Sequence, residues 1–260
     1  MDYWQKQAAN KPLYEDILWS RPETRHGAGK LLIAGGNVHG FANIGQAYQT
    51  AHESGIGTAH VLLPDAIKKT VGKLLENTDF GPSTPSGSFG SEALGEFLVQ
   101  SSWADGVLLA GDFGRNSETS VLLEKYTQQY SGILAITKDA VDYFYHLPTS
   151  ILDRENTMLV INLSQLQKLG TASKFETPFL LGMGLMLLVQ ALHEFSKLHR
   201  CIVVTKKLDN IVVAYQGNIS TTKLNDDKEL WQVQVATKAS VFWLQNPNKP
   251  FESITSSIIA

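Results

Sequence analysis

Residues able to do chemistry cluster at the ends of apolar runs in this chain. In KLLIAGGNVHGFANIGQA (30–47) such a run stops at Gly35-Gly36, and a polar turn leads into a helical pattern. A strand–turn–helix junction of this kind can hold a phosphate on backbone N–H groups, because glycine permits close approach and the helix N-terminus carries partial positive charge. Gly35, Gly36 and Asn37 are therefore candidate ligand contacts. His39, inside the same loop, is a candidate contact or base. LLAGDFGRNSET (108–119) repeats the pattern with Gly111, Gly114 and Arg115 as ligand candidates and Asp112 as a candidate acid. Asn162 and Lys206 end two later runs, and Asp226 and Asp227 in LNDDKE are further candidate acids. An aspartate pair ahead of a helix also serves as an N-cap cluster.

Several other chemistries do not fit. The seven histidines form no HExxH pattern and no close carboxylate pairing typical of zinc, so no metal site is expected. No GxxxxGK[ST] loop is present, AGGNVHG (34–40) fails the dinucleotide G-x-G-x-x-G spacing, and PSGSFGS (85–91) is not a nucleophile elbow. The single cysteine, Cys201, excludes an internal disulfide framework, and its place in CIVV suits a buried strand.

With 43% hydrophobic and 18% charged residues the chain can build a sizeable core, and a net charge of −3 offers nothing to nucleic acid or an anionic membrane. The N-terminus lacks an apolar signal region. The most apolar segment, 179–192, falls short of the ~20 residues needed to span a bilayer. A soluble, cytoplasmic protein is expected, with a small-molecule or nucleotide ligand, no nucleic-acid or membrane partner, and homo-oligomerisation left open.

Seven runs of strand length must position these residues: KLLIAG (30–35), AHVLLP (59–64), GVLLAG (106–111), GILAIT (132–137), TMLVIN (157–162), CIVVTK (201–206) and NIVVAY (210–215). They are continuous rather than alternating, as expected of parallel strands buried on both faces. Helical segments separate most of them: 44–55 with Gly55 as its stop, 65–77 with Asp65 as an N-cap, and 117–130 capped by Ser117. The last two runs lie close enough for an antiparallel hairpin. FGPSTPSGSFGSE (80–92) reads as a long surface loop. The alternation predicts one α/β domain, a three-layer α/β/α sandwich with a mainly parallel sheet and a C-terminal hairpin, whose ligand sits outside the carboxyl ends of the strands.

The order of elements resembles the ribokinase-like superfamily, and within it the ADP/ATP-dependent NAD(P)H-hydrate dehydratases. IAGGN (33–37) matches the first strand end, and HESGIGTAHVLLPDAI (52–67) the following helix and strand. LLAGDFGRNSET keeps the glycines of a Gly-Pro-Gly-Leu-Gly-type loop but places Asp112 at the proline. ITKDAVDYF (136–144) keeps Asp139 and Ala140 of an Asp-Ala-Asp-Ala-Leu-type strand end. Asn162 stands at a histidine, Gln165 at a glutamate, and Lys206 at the lysine of a Lys-Gly hairpin. The resemblance covers roughly residues 28–259, with 1–27 as an N-terminal extension ahead of a ribokinase-like domain, 28–260. Trp4, Tyr14 and Trp19 could anchor that extension.

Members of this family carry a Gly-Thr-Gly-Asp loop at a helix N-terminus, whose N–H groups hold an anion and whose aspartate transfers a proton. Counting back the family's spacing from Gln245 puts that acid on Val233, with Trp231 and Gln232 at the glycines. A valine transfers no proton. The resemblance implies ADP or ATP with Mg as cofactor and three readings of function. The first is a diverged relative of the dehydratase that binds a nucleotide or dinucleotide-like ligand with lost or altered catalysis. The second is an active dehydratase or small-molecule kinase using a relocated acid, Asp112, Asp226 or Asp227. The third is a non-catalytic assembly or regulatory protein. Little sequence follows the last helix, so part of the nucleotide-site wall is expected to be missing or supplied by a partner chain.

Overall fold

A computed structural model describes residues 2–71, 77–224 and 231–260. In chain order the elements are β1 (Trp4–Gln7), α1 (Glu15–Trp19), β2 (Lys30–Gly35), α2 (Ala42–Glu53), β3 (Thr58–Pro64), a 3₁₀ turn (Asp65–Ile67) running into α3 (Lys68–Val71), and β4 (Thr78–Gly81). Next come a 3₁₀ turn (Ser91–Ala93), α4 (Leu94–Trp103), β5 (Gly106–Gly111), α5 (Ser117–Gln129), β6 (Ile133–Thr137), a 3₁₀ helix (Lys138–Phe144), α6 (Thr149–Leu152), β7 (Thr157–Ile161), α7 (Leu163–Ala172) and α8 (Leu185–Leu198). β8 (Ile202–Lys207), β9 (Asn210–Tyr215), β10 (Asn218–Lys223), α9 (Trp231–Gln245) and α10 (Pro250–Ser257) complete the chain.

All seven apolar runs are strands of one sheet, ordered β1-β10-β9-β8-β7-β6-β5-β2-β3-β4 among the described residues. Only β9 runs against the rest. Period-two alternation divides each strand between two cores. Leu32 and Ala34 join one with Phe97 of α4, Leu122 and Tyr126 of α5, Leu166 of α7 and Phe195 of α8. Leu31 and Ile33 join the other with Ala47 of α2, Val233 and Ala236 of α9, and Ile254 of α10. This is a three-layer α/β/α sandwich.

The expected hairpin β8–β9 forms, and β10 and β1 extend it by two more strands. The stretch Trp4–Gln7 thus enters the sheet instead of lying over it. Gln7 ties that edge down by donating to Thr222 Oγ1 and to the Thr255 carbonyl of α10. Trp4 Nε1 donates to Thr221 Oγ1, and Tyr14 packs edge-on against Phe251. Trp19, by contrast, is 85% exposed.

Three local expectations need correction. The segment 80–92 is not a surface loop: β4 opens it, and Thr84, Ser88 and Phe89 are buried. Phe89 seats against Phe97 and Phe113, and the backbone between closes on itself through Thr84 N to Ser88 O, 2.8 Å. Helix α5 is capped by Asn116, whose side chain accepts from Glu118 N and Thr119 N, so Ser117 is already inside it. Asp65 caps no helix N–H; Pro64 precedes the 3₁₀ turn, and the Asp65 carboxylate accepts from Ser83 Oγ.

Candidate functional site

The carboxyl ends of β2 and β5 lie side by side, and this is where strand order reverses: β3 lies on one side of β2, β5 on the other. Gly35, Gly36, Gly111 and Gly114 all have positive φ. A Cβ at Gly35 would stand 2.2 Å from the Gly111 carbonyl oxygen, so the two strand ends touch backbone to backbone. Gly36 N–H donates to that same carbonyl, 3.0 Å. Asn37 Nδ2 donates to the Asp112 carbonyl at 2.6 Å, and Asn37 Oδ1 accepts from His39 N–H at 2.7 Å. The His39 ring is exposed. Asp112, at φ +59°, turns its carboxylate onto the first turn of α2, accepting from Asn43 N (2.9 Å) and Asn43 Nδ2 (2.7 Å).

An open cleft of about 550 Å³ lies one strand further along, over the ends of β5 and β6. Its lining comes from Gly114, Arg115 and Asn116 after β5, from Asp139, Asp142, Tyr143 and Tyr145 on the 3₁₀ helix after β6, and from Lys168 of α7. Arg115 and Lys168 are exposed at its wall, with Lys168 Nζ 5.4 Å from the Tyr145 ring centre. The tyrosine hydroxyls are used internally. Tyr143 donates to Gly114 O at 2.6 Å and Tyr145 to Asp142 Oδ1 at 2.7 Å. Their rings therefore offer apolar faces to a ligand. Burial raises the pKa of both hydroxyls, and the Asp142 bond raises that of Tyr145 further.

Asp139 is the carboxyl with capacity to spare. Its Oδ2 accepts from Gly114 N–H at 3.0 Å, while Oδ1 is buried with no hydrogen-bond partner among the described residues. Burial pushes its pKa up to about 6; the Gly114 N–H opposes the rise and the nearby Asp112 charge adds to it. Beneath it runs a polar network. Gln165 Nε2 donates to Lys138 O (2.8 Å) and Asp142 Oδ1 (3.0 Å), and Gln165 Oε1 accepts from Gln232 Nε2 (3.1 Å).

Of the residues singled out from sequence, the structure brings Gly114 and Arg115 into the cleft. Gly35, Gly36, Asn37, His39, Gly111 and Asp112 form the neighbouring β2–β5 junction. Asn162 is a helix cap: it and Gln165 make a reciprocal capping box at the start of α7. Lys206 is half-buried near the end of β8, in register with Ile211 and outside the cleft lining. Asp226 and Asp227 lie outside the described residues. Val233 is fully buried in the first turn of α9. Among the described residues no three His, Cys, Asp or Glu side chains group to hold a metal ion. Sequence reasoning passed over Asn116, Asp139, Asp142, Tyr143, Tyr145 and Lys168 as site residues. The available signal was KDAVDYF directly after an apolar run, where two acids and an aromatic follow a strand end.

No protein-family model matches the chain, and no curated protein matches it with significance. Solved structures do. One is a ribokinase-like superfamily protein from Enterococcus faecalis, with TM-score 0.72 and 14% identity over 100% of this chain and 86% of that one. A hypothetical protein from Streptococcus mutans follows, with TM-score 0.71 and 15% identity over 94% and 85%. A third is the ADP/ATP-dependent NAD(P)H-hydrate dehydratase of Bacillus subtilis, co-crystallised with ATP and Mg²⁺ and soaked with CoA, with TM-score 0.64 and 9% identity over 95% and 86%. The chain has the ribokinase-like fold.

Proposed function

We propose that this chain is a diverged ribokinase-like protein that binds a nucleotide or dinucleotide-like ligand in the cleft over β5 and β6, without the dehydratase reaction as its relatives in fold would run it. One observation carries the reading: a cleft of about 550 Å³ that combines two exposed cations, two aromatic faces and a carboxyl with a free buried oxygen. That volume is in the range of roughly 300–1,000 Å³ usual for small-molecule sites. Arg115 and Lys168 would meet the phosphates, and the Tyr143 and Tyr145 faces a planar ring. Magnesium would enter on the nucleotide. Val233 stands where the resemblance places the proton-transferring aspartate, which supports lost or altered catalysis.

A second reading, catalysis by a relocated acid, is favoured among the described residues by Asp139. With a pKa of about 6 it exchanges protons near neutral pH and lies in the cleft wall. Asp112 suits that role less well, since both its oxygens accept from Asn43.

The test is a thermal-unfolding titration with ADP, ATP, NADH and NADPH, each with and without magnesium, followed by a turnover assay on hydrated NADH and NADPH. Ligand at ~100 times its dissociation constant adds about 2.7 kcal/mol, a rise of several degrees. Arg115→Ala and Lys168→Ala should each weaken the response about tenfold in affinity without lowering the unliganded Tm. Binding without turnover supports the first reading, and turnover lost in Asp139→Asn the second. No response to any nucleotide refutes both and leaves an assembly or regulatory role.

A further inference from the structure

The cleft over β5 and β6 carries opposite charges that do not neutralise one another. Arg115, Lys168 and Asp142 are exposed in its lining, yet among the described residues none of the three makes an ion pair. Asp142 is also locked in orientation. Its Oδ1 accepts twice from within the chain, from the Tyr145 hydroxyl at 2.7 Å and from Gln165 Nε2 at 3.0 Å. Gln165 is itself fixed, since Nε2 donates to Lys138 O as well and Oε1 accepts from Gln232 Nε2. Asp142 Oδ2 is left with no hydrogen-bond partner among the described residues. Asp139 offers a ligand less, because its unpartnered Oδ1 packs against Gly111, 3.0 Å from where a Cβ would stand.

A preset carboxylate oxygen accepts hydrogen bonds and repels phosphate, so it suits a donor on an uncharged part of a ligand. With phosphates on Arg115 and Lys168 and a base on a tyrosine face, the group that joins them is the sugar, whose vicinal hydroxyls are donors. We propose that Asp142 is a specificity-determining residue whose outward oxygen accepts from ribose hydroxyls, so that the cleft selects ribonucleotides over deoxyribonucleotides; this rests on the binding reading above. A site that hydrogen-bonds a ligand hydroxyl discriminates against the analogue lacking it.

The probes are ADP, 2′-deoxy-ADP, 3′-deoxy-ADP and inosine diphosphate, which lacks the base amine, each titrated calorimetrically against the parent, Asp142→Asn and Asp142→Ala. The parent should bind ADP at least tenfold more tightly than one or both deoxy analogues, and inosine diphosphate about as tightly as ADP. Asparagine can keep its carbonyl on Tyr145 and Gln165 while turning an amide N–H₂ outward, so in Asp142→Asn the ratio of ADP to deoxy affinities should fall to about one. If that variant does not fold, Asp142→Ala gives the same ratio, with Gln165 keeping Lys138 O as its acceptor. A variant that retains the parent's ratio overturns the proposal. So does a loss that falls equally on all four probes, which would leave Asp142 a structural support, or discrimination between ADP and inosine diphosphate in place of the deoxy analogues. A parent that binds ADP and both deoxy analogues equally sinks this inference alone. A parent that binds none of the four sinks the binding reading and this inference with it.

Discussion

Replacing Asp139 by asparagine should stabilise the protein at neutral pH. A carboxyl whose folded-state pKa lies above its unfolded one binds its proton more tightly when folded. The folded state is then favoured fully below the unfolded value, and that advantage is lost as pH rises through the folded value. For Asp139 the window runs from its ordinary 3.8 to about 6. At ~1.4 kcal/mol per pKa unit, ionising this side chain costs the folded protein about 3 kcal/mol above pH 6. The Gly114 N–H bond to Oδ2, which opposes the rise, is already included in that figure. Asparagine carries no charge to desolvate and keeps an acceptor for Gly114, so most of this cost should disappear. For a chain of this size roughly 2–4 °C of Tm accompanies each kcal/mol. Asp139→Asn should therefore melt roughly 5–10 °C above the parent at pH 7.5 and match it near pH 4. Urea unfolding of both proteins from pH 4 to pH 8 measures the difference curve directly. A difference that stays flat with pH, or a variant less stable than the parent at pH 7.5, would refute the assignment of a raised pKa to burial at this site.

Two further substitutions probe the scaffold. Asn162→Ala should cost about 1 kcal/mol in urea unfolding, the usual worth of an N-cap, because it removes the acceptor for Gln165 N–H at the start of α7. A loss near zero would mean the capping box contributes nothing. Gly35→Ala should abolish folding, since its Cβ would lie 2.2 Å from the Gly111 carbonyl oxygen. Gly40→Ala is the matched control, with nothing within 4 Å of the added carbon. A soluble Gly35→Ala protein with the parent's Tm would contradict the close approach of β2 and β5.

The central strands were legible because their signal is local. LLIA, VLL and MLVI are continuous apolar runs, and such runs are stable only where helices cover both faces of a sheet. The last two strands at the β1 edge of the sheet were not legible. WQKQ and NISTTK read as polar, and they are strands because a neighbouring strand supplies partners for their backbone. Ser220 meets Thr255 Oγ1 at 2.7 Å, and Gln7 reaches the Thr255 carbonyl from the far end of the chain. The buried segment around Phe89 was hidden in the same way, because glycine, proline and serine describe a turn whether it faces water or a core. Among the site residues, the glycines of 35–36 and 111–114 announced a close approach but not what would approach. Folding put Asp112 against Asn43, sixty-nine positions away along the chain, and buried Asp139 under Gly114. Periodicity and residue type act over one or two turns of chain. The partner of a carboxylate, and the solvent it loses, depend on which distant segments the sheet brings beside it.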